Sequence, residues 1–320
     1  MKILLTGATG FVGRNLSEFF TSTGYEVLGM SSREGLSDFC WDDLTAGRLP
    51  AVDAVFHLAG KAHDLKNQAG AEVYFEINTE LTKKVFSWFL KSSAKQFYFF
   101  SSVKAAADFV SEGVLTEEVV PAPVGPYGES KIAAERFIRE NFDFEKADDA
   151  GKRVYIIRPC MIHGPGNKGN LNLLYAVVKY GVPWPLGAFE NRRSFLSVEN
   201  LEFILAEMLK KQPPSGIYNV ADDEMLSTND LVRGICAALG KQACIVNIPS
   251  GLVRLCASLG TCLHLPFNKE RLNKLTENYA VSNRKIKQAL GVDCLPVSVK
   301  EGIVRTITSF RERAACKEKN

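Results

Sequence analysis

The sequence has no CxxC pair. Its eight cysteines, Cys40, Cys160, Cys236, Cys244, Cys256, Cys262, Cys294 and Cys316, stand singly. That excludes a zinc ribbon or a redox dithiol of that spacing, and no metal site is expected. The cysteines read as mostly buried small hydrophobes in a reducing cytosol. No stretch has the length and apolarity of a membrane span. No secretory leader is expected, because the apolar start Lys2–Thr6 runs straight into a glycine loop. Charge of either sign is scarcely in excess: 39 Lys plus Arg against 36 Asp plus Glu leaves +3. That is too little to argue for nucleic acid as a partner, although a local basic cluster can still meet an anionic ligand. Internal repeats and low-complexity tracts are missing as well. What remains is the composition of an ordinary globular chain, 46% hydrophobic and 23% charged. Its 320 residues suffice for one large α/β domain and a smaller one.

The first half alternates strand and helix signals. Lys2–Thr6 reads as a buried strand, and Val12, Leu16, Phe19 and Phe20 follow at helical spacing until Gly24. Tyr25–Met30, Val52–Ala59, Gln96–Ser101 and Val154–Pro159 read as further strands. A helical stretch with Ile77, Leu81, Val85, Phe86 and Phe89 separates two of them. Such alternation with apolar strands implies a doubly wound parallel sheet covered on both faces. After about Pro159 the loops lengthen and gain Gly, Asn and Pro, as in His163–Asn170 and Gly181–Asn191. Asn200–Lys210 and Thr228–Leu239 read as helices. Gly251–Leu265 reads as an apolar helix whose single charge is Arg254. It is expected to pack as a core or dimer helix, with a bilayer surface as the alternative. Arg311–Asn320 is charged and expected to fray. Residues 1–160 are assigned to a dinucleotide-binding domain. Residues 161–320 are assigned mainly to substrate binding, with segments returning to the first core.

Thr6-Gly7-Ala8-Thr9-Gly10-Phe11-Val12-Gly13 lies between the first strand and the first helix. Glycine there lets the backbone turn tightly and approach a diphosphate with no Cβ in the way. The helix N-terminus adds free N–H groups and a positive dipole end. The spacing is GxxGxxG, not GxGxxG. With its leading Thr it resembles the short-chain dehydrogenase/reductase superfamily. A carboxylate at the end of the second strand normally accepts the ribose hydroxyls of NAD. Here that position reads Ser31-Ser32-Arg33, which suits a 2′-phosphate and favours NADP(H) within an NAD(P) site. Asp43-Leu44 resembles the superfamily's adenine contact.

Tyr127 and Lys131 stand four apart in a helical segment and share a face. A free Tyr, with a pKa of about 10, is a poor base at neutral pH. A nearby ammonium favours the phenolate and is expected to bring Tyr127 into useful range. Ser101-Ser102 closes the strand before that helix; Ser102 is the better match for a hydroxyl that bonds the substrate oxygen, and Ser101 the fallback. Asn78 lies in the helix before that strand. Arg158-Pro159 and Gly164-Pro165-Gly166 follow the next one, and His57-Leu58-Ala59-Gly60 closes the strand Val52–Ala59.

In this order the motifs resemble the extended branch of the superfamily, the nucleotide-sugar epimerases, reductases and dehydratases, over nearly the whole chain. The resemblance implies a Rossmann-type fold with a smaller C-terminal α/β domain. It implies Ser102, Tyr127, Lys131 and Asn78 as catalytic residues. It implies a cofactor site of Gly7, Thr9, Gly10, Phe11, Val12, Gly13, Ser31, Ser32, Arg33, Asp43, Leu44, Leu58, Ala59, Gly60, Ser101 and Pro159, together with Tyr127 and Lys131. Dehydratases of the branch carry Asp-Glu after the catalytic Thr or Ser; here Val103-Lys104 follows Ser102, which argues against 4,6-dehydration. Ala105-Ala106-Ala107 and His163 also depart from the common pattern, which puts the substrate pocket in question.

Lys168-Gly169-Asn170, Pro185-Leu186-Gly187, Asn191–Phe195 and Glu199-Asn200-Leu201 are similar to a subgroup acting on N-acetylhexosamine nucleotides in bacterial surface-polysaccharide assembly. By that resemblance Asn170 and Arg193 hold the diphosphate, Arg193 through its planar fork, with Arg271 as a weaker candidate. Lys104 and His163 complete the substrate set. The expected partner is a UDP-sugar, the reaction an epimerisation or a keto reduction at C4, and the location cytoplasmic. Homodimerisation is a further expectation. The alternatives are a polyprenyl-diphosphate-linked substrate at the membrane and a catalytically silent cofactor-binding regulator.

Overall fold

The computed structural model describes residues 1–32, 35–61, 70–110, 113–149, 151–167, 170–263, 265 and 267–317; for 149, 170 and 313–317 it describes the backbone alone. Three apolar residues, Ile3, Leu4 and Leu5, ahead of a glycine loop centre β1 (Lys2–Thr6), and α1 (Phe11–Ser22) follows. Then come β2 (Glu26–Met30), the short α2 (Trp41–Thr45), β3 (Ala54–His57), α3 (Ala71–Phe75) and α4 (Leu81–Lys91). Between α3 and α4 one π-turn, Glu76–Glu80, widens the helix. β4 (Gln96–Phe100), α5 (Gly125–Glu140), α6 (Phe144–Asp149) and β5 (Arg153–Pro159) complete the first half.

The second half runs β6 (Met161–His163), α7 (Asn170–Lys179), β7 (Arg193–Ser197), α8 (Val198–Lys211), β8 (Gly216–Val220), β9 (Met225–Leu226) and α9 (Thr228–Ala238). It ends with α10 (Ser250–Cys262), α11 (Lys269–Thr276), α12 (Arg284–Leu290) and α13 (Val299–Lys317).

Among the described residues the main sheet has the order β2-β1-β3-β4-β5-β8, every pair parallel. β8, from beyond residue 160, closes the sheet beside β5. Side chains alternate along each strand. Ile3, Leu5, Phe56, Tyr98, Tyr155 and Ile157 face one layer, packed with Leu16 and Phe20 of α1 and Leu201 and Leu205 of α8. Leu4, Val55, Phe97, Phe99 and Ile156 face the other, with Val85, Phe86 and Phe89 of α4 and Ala134 and Ile138 of α5. A ring stack, Phe56 on Tyr98 at 4.2 Å, reinforces the first layer. The chain leaves β1 toward β2 on one side and continues through β3 on the other. The C-terminal ends of β1 and β3 therefore flank a crevice, where doubly wound sheets bind ligands.

A second core, with Trp184, Leu186, Phe195, Leu231, Ile235 and Ile303, supports the small sheet β6-β7-β9. α10 contributes only Val253 and Ala257 to it and most of its leucines face outward, so of the expected core or dimer helix the core half does not hold. The cysteines also depart from expectation. Cys160 and Cys236 are buried and Cys40 half-buried, but Cys244, Cys256, Cys262 and Cys294 are exposed. Among the described residues no helix is long and apolar enough to cross a membrane, and no cluster of three or more His, Cys, Asp or Glu could hold a metal.

Candidate active site

The loop after β1 turns at Gly7, whose φ of +72° lies in the left-handed region. A Cβ there would come within 2.8 Å of the Ala59 nitrogen on the neighbouring β3 loop. A Cβ on Gly13 would meet the Gly7 oxygen at 2.2 Å. The two glycines thus let β1, its loop and α1 close on one another. Gly10 caps α1 with no side chain, and no acid lies in the first turn. The first N–H groups of α1 are left for an anion, which fits the diphosphate of a dinucleotide. Gly164-Pro165 runs against the same helix: Asn15 donates to the Pro165 carbonyl at 3.0 Å.

Under the crevice runs a buried polar chain. Thr6 Oγ1 lies 2.7 Å from His57 Nδ1 and accepts the Ala59 N–H, fixing the Leu58-Ala59-Gly60 turn. His57 Nε2 lies 2.9 Å from Thr82 Oγ1, which donates to the Asn78 carbonyl. Burial, with the charge of Lys131, lowers the His57 pKa to about 3, so its ring is a neutral strut.

Asn78 sits in the π-turn, fully buried, where the extra residue per turn aims its side chain inward. Its Oδ1 accepts the Lys61 N–H at 2.8 Å, and its Nδ2 donates to the Lys61 carbonyl and to Ser130 Oγ. It therefore ties the β3 loop to α5. Gly60 fits between: a Cβ there would stand 2.9 Å from Asn78 Oδ1 and 3.0 Å from Lys131 Nζ.

Tyr127 lies in the first turn of α5 and Lys131 one turn later. Lys131 Nζ donates to the Phe100 carbonyl at 2.7 Å and stands over the Phe99 ring. Burial lowers its pKa to about 8, against the raising influence of Glu135. Tyr127 does not show the ammonium-lowered pKa expected of it. Burial raises its pKa and Tyr74 adds to that, while a hydrogen bond with Ser102 lowers it. In this state the Lys131 ammonium is spent on Phe100.

The two serines separate clearly. Ser102 Oγ accepts the Lys104 N–H and bonds Tyr127. Ser101 Oγ instead donates to Glu135. Glu135 and Arg158 form a fully buried pair, Nε to Oε1 at 2.9 Å and Nη2 to Oε2 at 2.5 Å. Arg158 therefore turns under α5, and only Pro159 remains of that segment at the strand end. Composition and spacing did not single out Glu135 or Ser130. The periodic signal was Glu135 following Lys131 by four, on the face of Tyr127.

At the far end of the crevice a cavity of about 880 Å³ is bounded by Thr9, Arg14, Gly29, Leu36, Ser37 and Asp38, among others. Ser31 is buried, 2.9 Å from Ser37 Oγ, and Ser32 is exposed. Arg33 lies outside the described residues. Asp38, unnoticed because it follows the strand by eight residues, accepts the Gly29 N–H at 2.7 Å. Asp43 closes a capping box on α2 and pairs with Arg48, so its carboxylate is already occupied; Leu44 is buried in the core.

The substrate candidates are less gathered. Lys104 pairs with Asp108 and lies over the Tyr279 ring. His163 is fully buried, with Nδ1 on Thr306 and Nε2 facing Asp222 under α13, a structural place that does not touch an open pocket. Arg193 starts β7 and donates to the Lys274 carbonyl of α11; burial lowers its pKa. Arg271 is exposed on α11. Of Asn170 only the backbone, at the start of α7, is described, and Lys168-Gly169 lies outside the described residues.

Residues 3–221 match the NAD dependent epimerase/dehydratase family. A UDP-glucose 4-epimerase of Vibrio cholerae is 30% identical over 97% of this chain and 95% of that protein. An N-acetyl-alpha-D-glucosaminyl-diphospho-ditrans,octacis-undecaprenol 4-epimerase of Escherichia coli O157:H7 is 27% identical over 90% of this chain and 85% of that protein. Among solved structures, a UDP-N-acetylglucosamine 4-epimerase from Bacillus cereus superposes with a TM-score of 0.75 at 20% identity, covering 97% of this chain and 99% of that one.

Proposed function

The chain belongs to the NAD dependent epimerase/dehydratase family, and from that premise we propose that it is a 4-epimerase of a UDP-N-acetylhexosamine serving surface-polysaccharide assembly. The observation that carries the reading is the hydrogen bond of Ser102 with Tyr127, with Lys131 one turn further along α5, beside a glycine loop that leaves the first α1 N–H groups without a side-chain cap. The relatives named as 4-epimerases support the choice of reaction.

The Gly7–Gly13 loop and the first turn of α1 hold the diphosphate of NAD(P), and Leu58-Ala59-Gly60 walls the adjoining side. When bound, the nicotinamide supplies the acceptor and donor of hydride at the sugar C4. Once its own proton has passed to solvent, the Tyr127 phenolate takes the proton of the C4 hydroxyl as the carbonyl forms, and returns it as the alcohol re-forms. Ser102 Oγ, already bonded to Tyr127, orients that oxygen. Lys131, with its pKa near 8, is mostly charged at neutral pH and stands one turn from Tyr127 on α5, held on the Phe100 carbonyl. Asn78 and Ser130 hold α5 against the β3 loop, so the phenol and the loop keep their distance. Arg193 presents a planar fork to the substrate diphosphate.

Preference for NADP(H) rests on Ser31, Ser32 and Arg33, to which Arg14 adds a cation facing the cavity. Asp38 opposes it, since a carboxylate repels a 2′-phosphate. A substrate panel tests the whole reading. With UDP-GlcNAc, UDP-GalNAc and a UDP-4-keto-6-deoxy-hexosamine, each with NAD(H) and NADP(H), the proposal expects interconversion of the first two without net redox. Net oxidation of reduced cofactor by the keto sugar alone would make the enzyme a reductase instead.

A further inference from the structure

α10 carries an apolar face that nothing in the described structure covers. Leu252, Leu255, Leu259 and Leu263 are 53%, 57%, 55% and 67% exposed, and Leu265 and Phe267 extend the same run at 50% and 38%. At helical spacing Leu252, Leu255, Leu259 and the C-cap Leu263 fall within one narrow arc, while Val253, Ala257 and Gly260 form the separate buried face. A contiguous apolar strip of this kind marks a surface built to meet something.

The end of α10 packs closely against the segment that begins at Phe267. Gly260 lets the chain fold back so closely that a Cβ there would stand 1.9 Å from the Phe267 oxygen. The Leu265 N–H donates to the Gly260 carbonyl, and the Lys269 N–H to Thr261 Oγ1.

Charge identifies the occupant. Between residues 250 and 276 stand Arg254, Lys269, Arg271 and Lys274 against one acid, Glu270. This hairpin alone therefore holds a surplus of three, which is the whole net charge of the chain; the other residues balance. Lys274 is paired with Glu270, and a second copy docked face to face about a two-fold axis would still set a surplus of three cations against three. An anionic bilayer takes the same arrangement favourably, leucines in the acyl boundary and cations among the headgroups.

We propose that the α10–α11 hairpin docks this enzyme on the surface of an anionic lipid bilayer as a peripheral, non-spanning contact. The surface does not depend on the identity of the sugar substrate. It does place the substrate end of the molecule near lipid, because α11 receives Arg193 through the Lys274 carbonyl.

The test is co-sedimentation of the full chain with vesicles of phosphatidylcholine alone and of phosphatidylcholine with phosphatidylglycerol. The proposal expects binding at least about tenfold stronger to the anionic vesicles, weakened by added salt. Leu255→Gln with Leu259→Gln should lower it at least about tenfold with an unchanged melting temperature, since both side chains are more than half exposed. Lys269→Gln with Lys274→Gln should lower it several-fold and flatten the salt dependence. Absence of binding to anionic vesicles overturns the proposal, as does binding that survives the leucine changes. A dimer in vesicle-free solution that the leucine changes dissociate also overturns it, and assigns the face to a second copy.

Discussion

Replacing Lys131 by Met should make the cofactor-free protein more stable at neutral pH and abolish its turnover. Lys131 is buried, and burial moves its pKa from 10.5 to about 8. A displacement of that size means that holding the charge below pH 8 costs roughly 3 kcal/mol. Met fills the same stem volume without the charge but loses the bond from Nζ to the Phe100 carbonyl, about 1–1.5 kcal/mol. The net gain is about 1–2 kcal/mol, a rise of a few degrees in melting temperature. The sign with pH follows from proton uptake. Between about pH 8 and 10.5 the unfolded lysine holds a proton that the folded one has released, so wild-type stability gains on the variant as pH rises. The gap should therefore be largest below pH 8 and close toward pH 10.5. Thermal melts of both proteins across that range, beside turnover assays with saturating cofactor, read both parts. A variant that melts below wild type at pH 7, or a gap that widens with pH, would refute the view that this charge is held at a cost to the fold.

Tyr127→Phe removes only the phenolic oxygen, so the fold and cofactor affinity should persist while kcat falls about 10²–10⁴-fold; steady-state kinetics with a cofactor titration reads this. Gly13→Ala puts a methyl 2.2 Å from the Gly7 oxygen, so the loop must open and dinucleotide affinity should drop at least about tenfold by fluorescence titration. Glu135→Gln leaves the Arg158 charge without its buried partner, and chemical denaturation should show a loss of about 3–5 kcal/mol. Asp38→Asn removes the carboxylate from the ribose end of the crevice, and the ratio of NADP(H) to NAD(H) affinity should rise by about tenfold.

The sequence made the parallel sheet legible because its strands are buried on both faces and read as unbroken apolar runs between glycines. β1 matches its expected span, Lys2–Thr6, and the other strands of the first half fall within a residue or two. The second half was harder to read. α10 looks like a core helix from composition, because composition does not say which arc of a helix faces inward. At the site, Gly7, Tyr127 and Lys131 are legible through their spacing together with the strand, helix and motifs that surround them. Glu135, although it continues the four-residue spacing of Tyr127 and Lys131, and Asp38 are not, since one buried acid or one loop acid carries no motif of its own. Helical spacing likewise points the Lys131 ammonium at Tyr127, but it donates to the Phe100 carbonyl, on a strand distant in sequence, which spacing does not reveal.

The most direct test is to follow UDP-N-acetylglucosamine by NMR with enzyme and substoichiometric oxidised cofactor. The account predicts equilibration with the C4 epimer, no accumulation of reduced cofactor, and loss of both conversion and back-conversion in Tyr127→Phe. A C4 centre that stays fixed for every UDP-hexosamine and keto sugar offered, or conversion that persists without the Tyr127 hydroxyl, would contradict it.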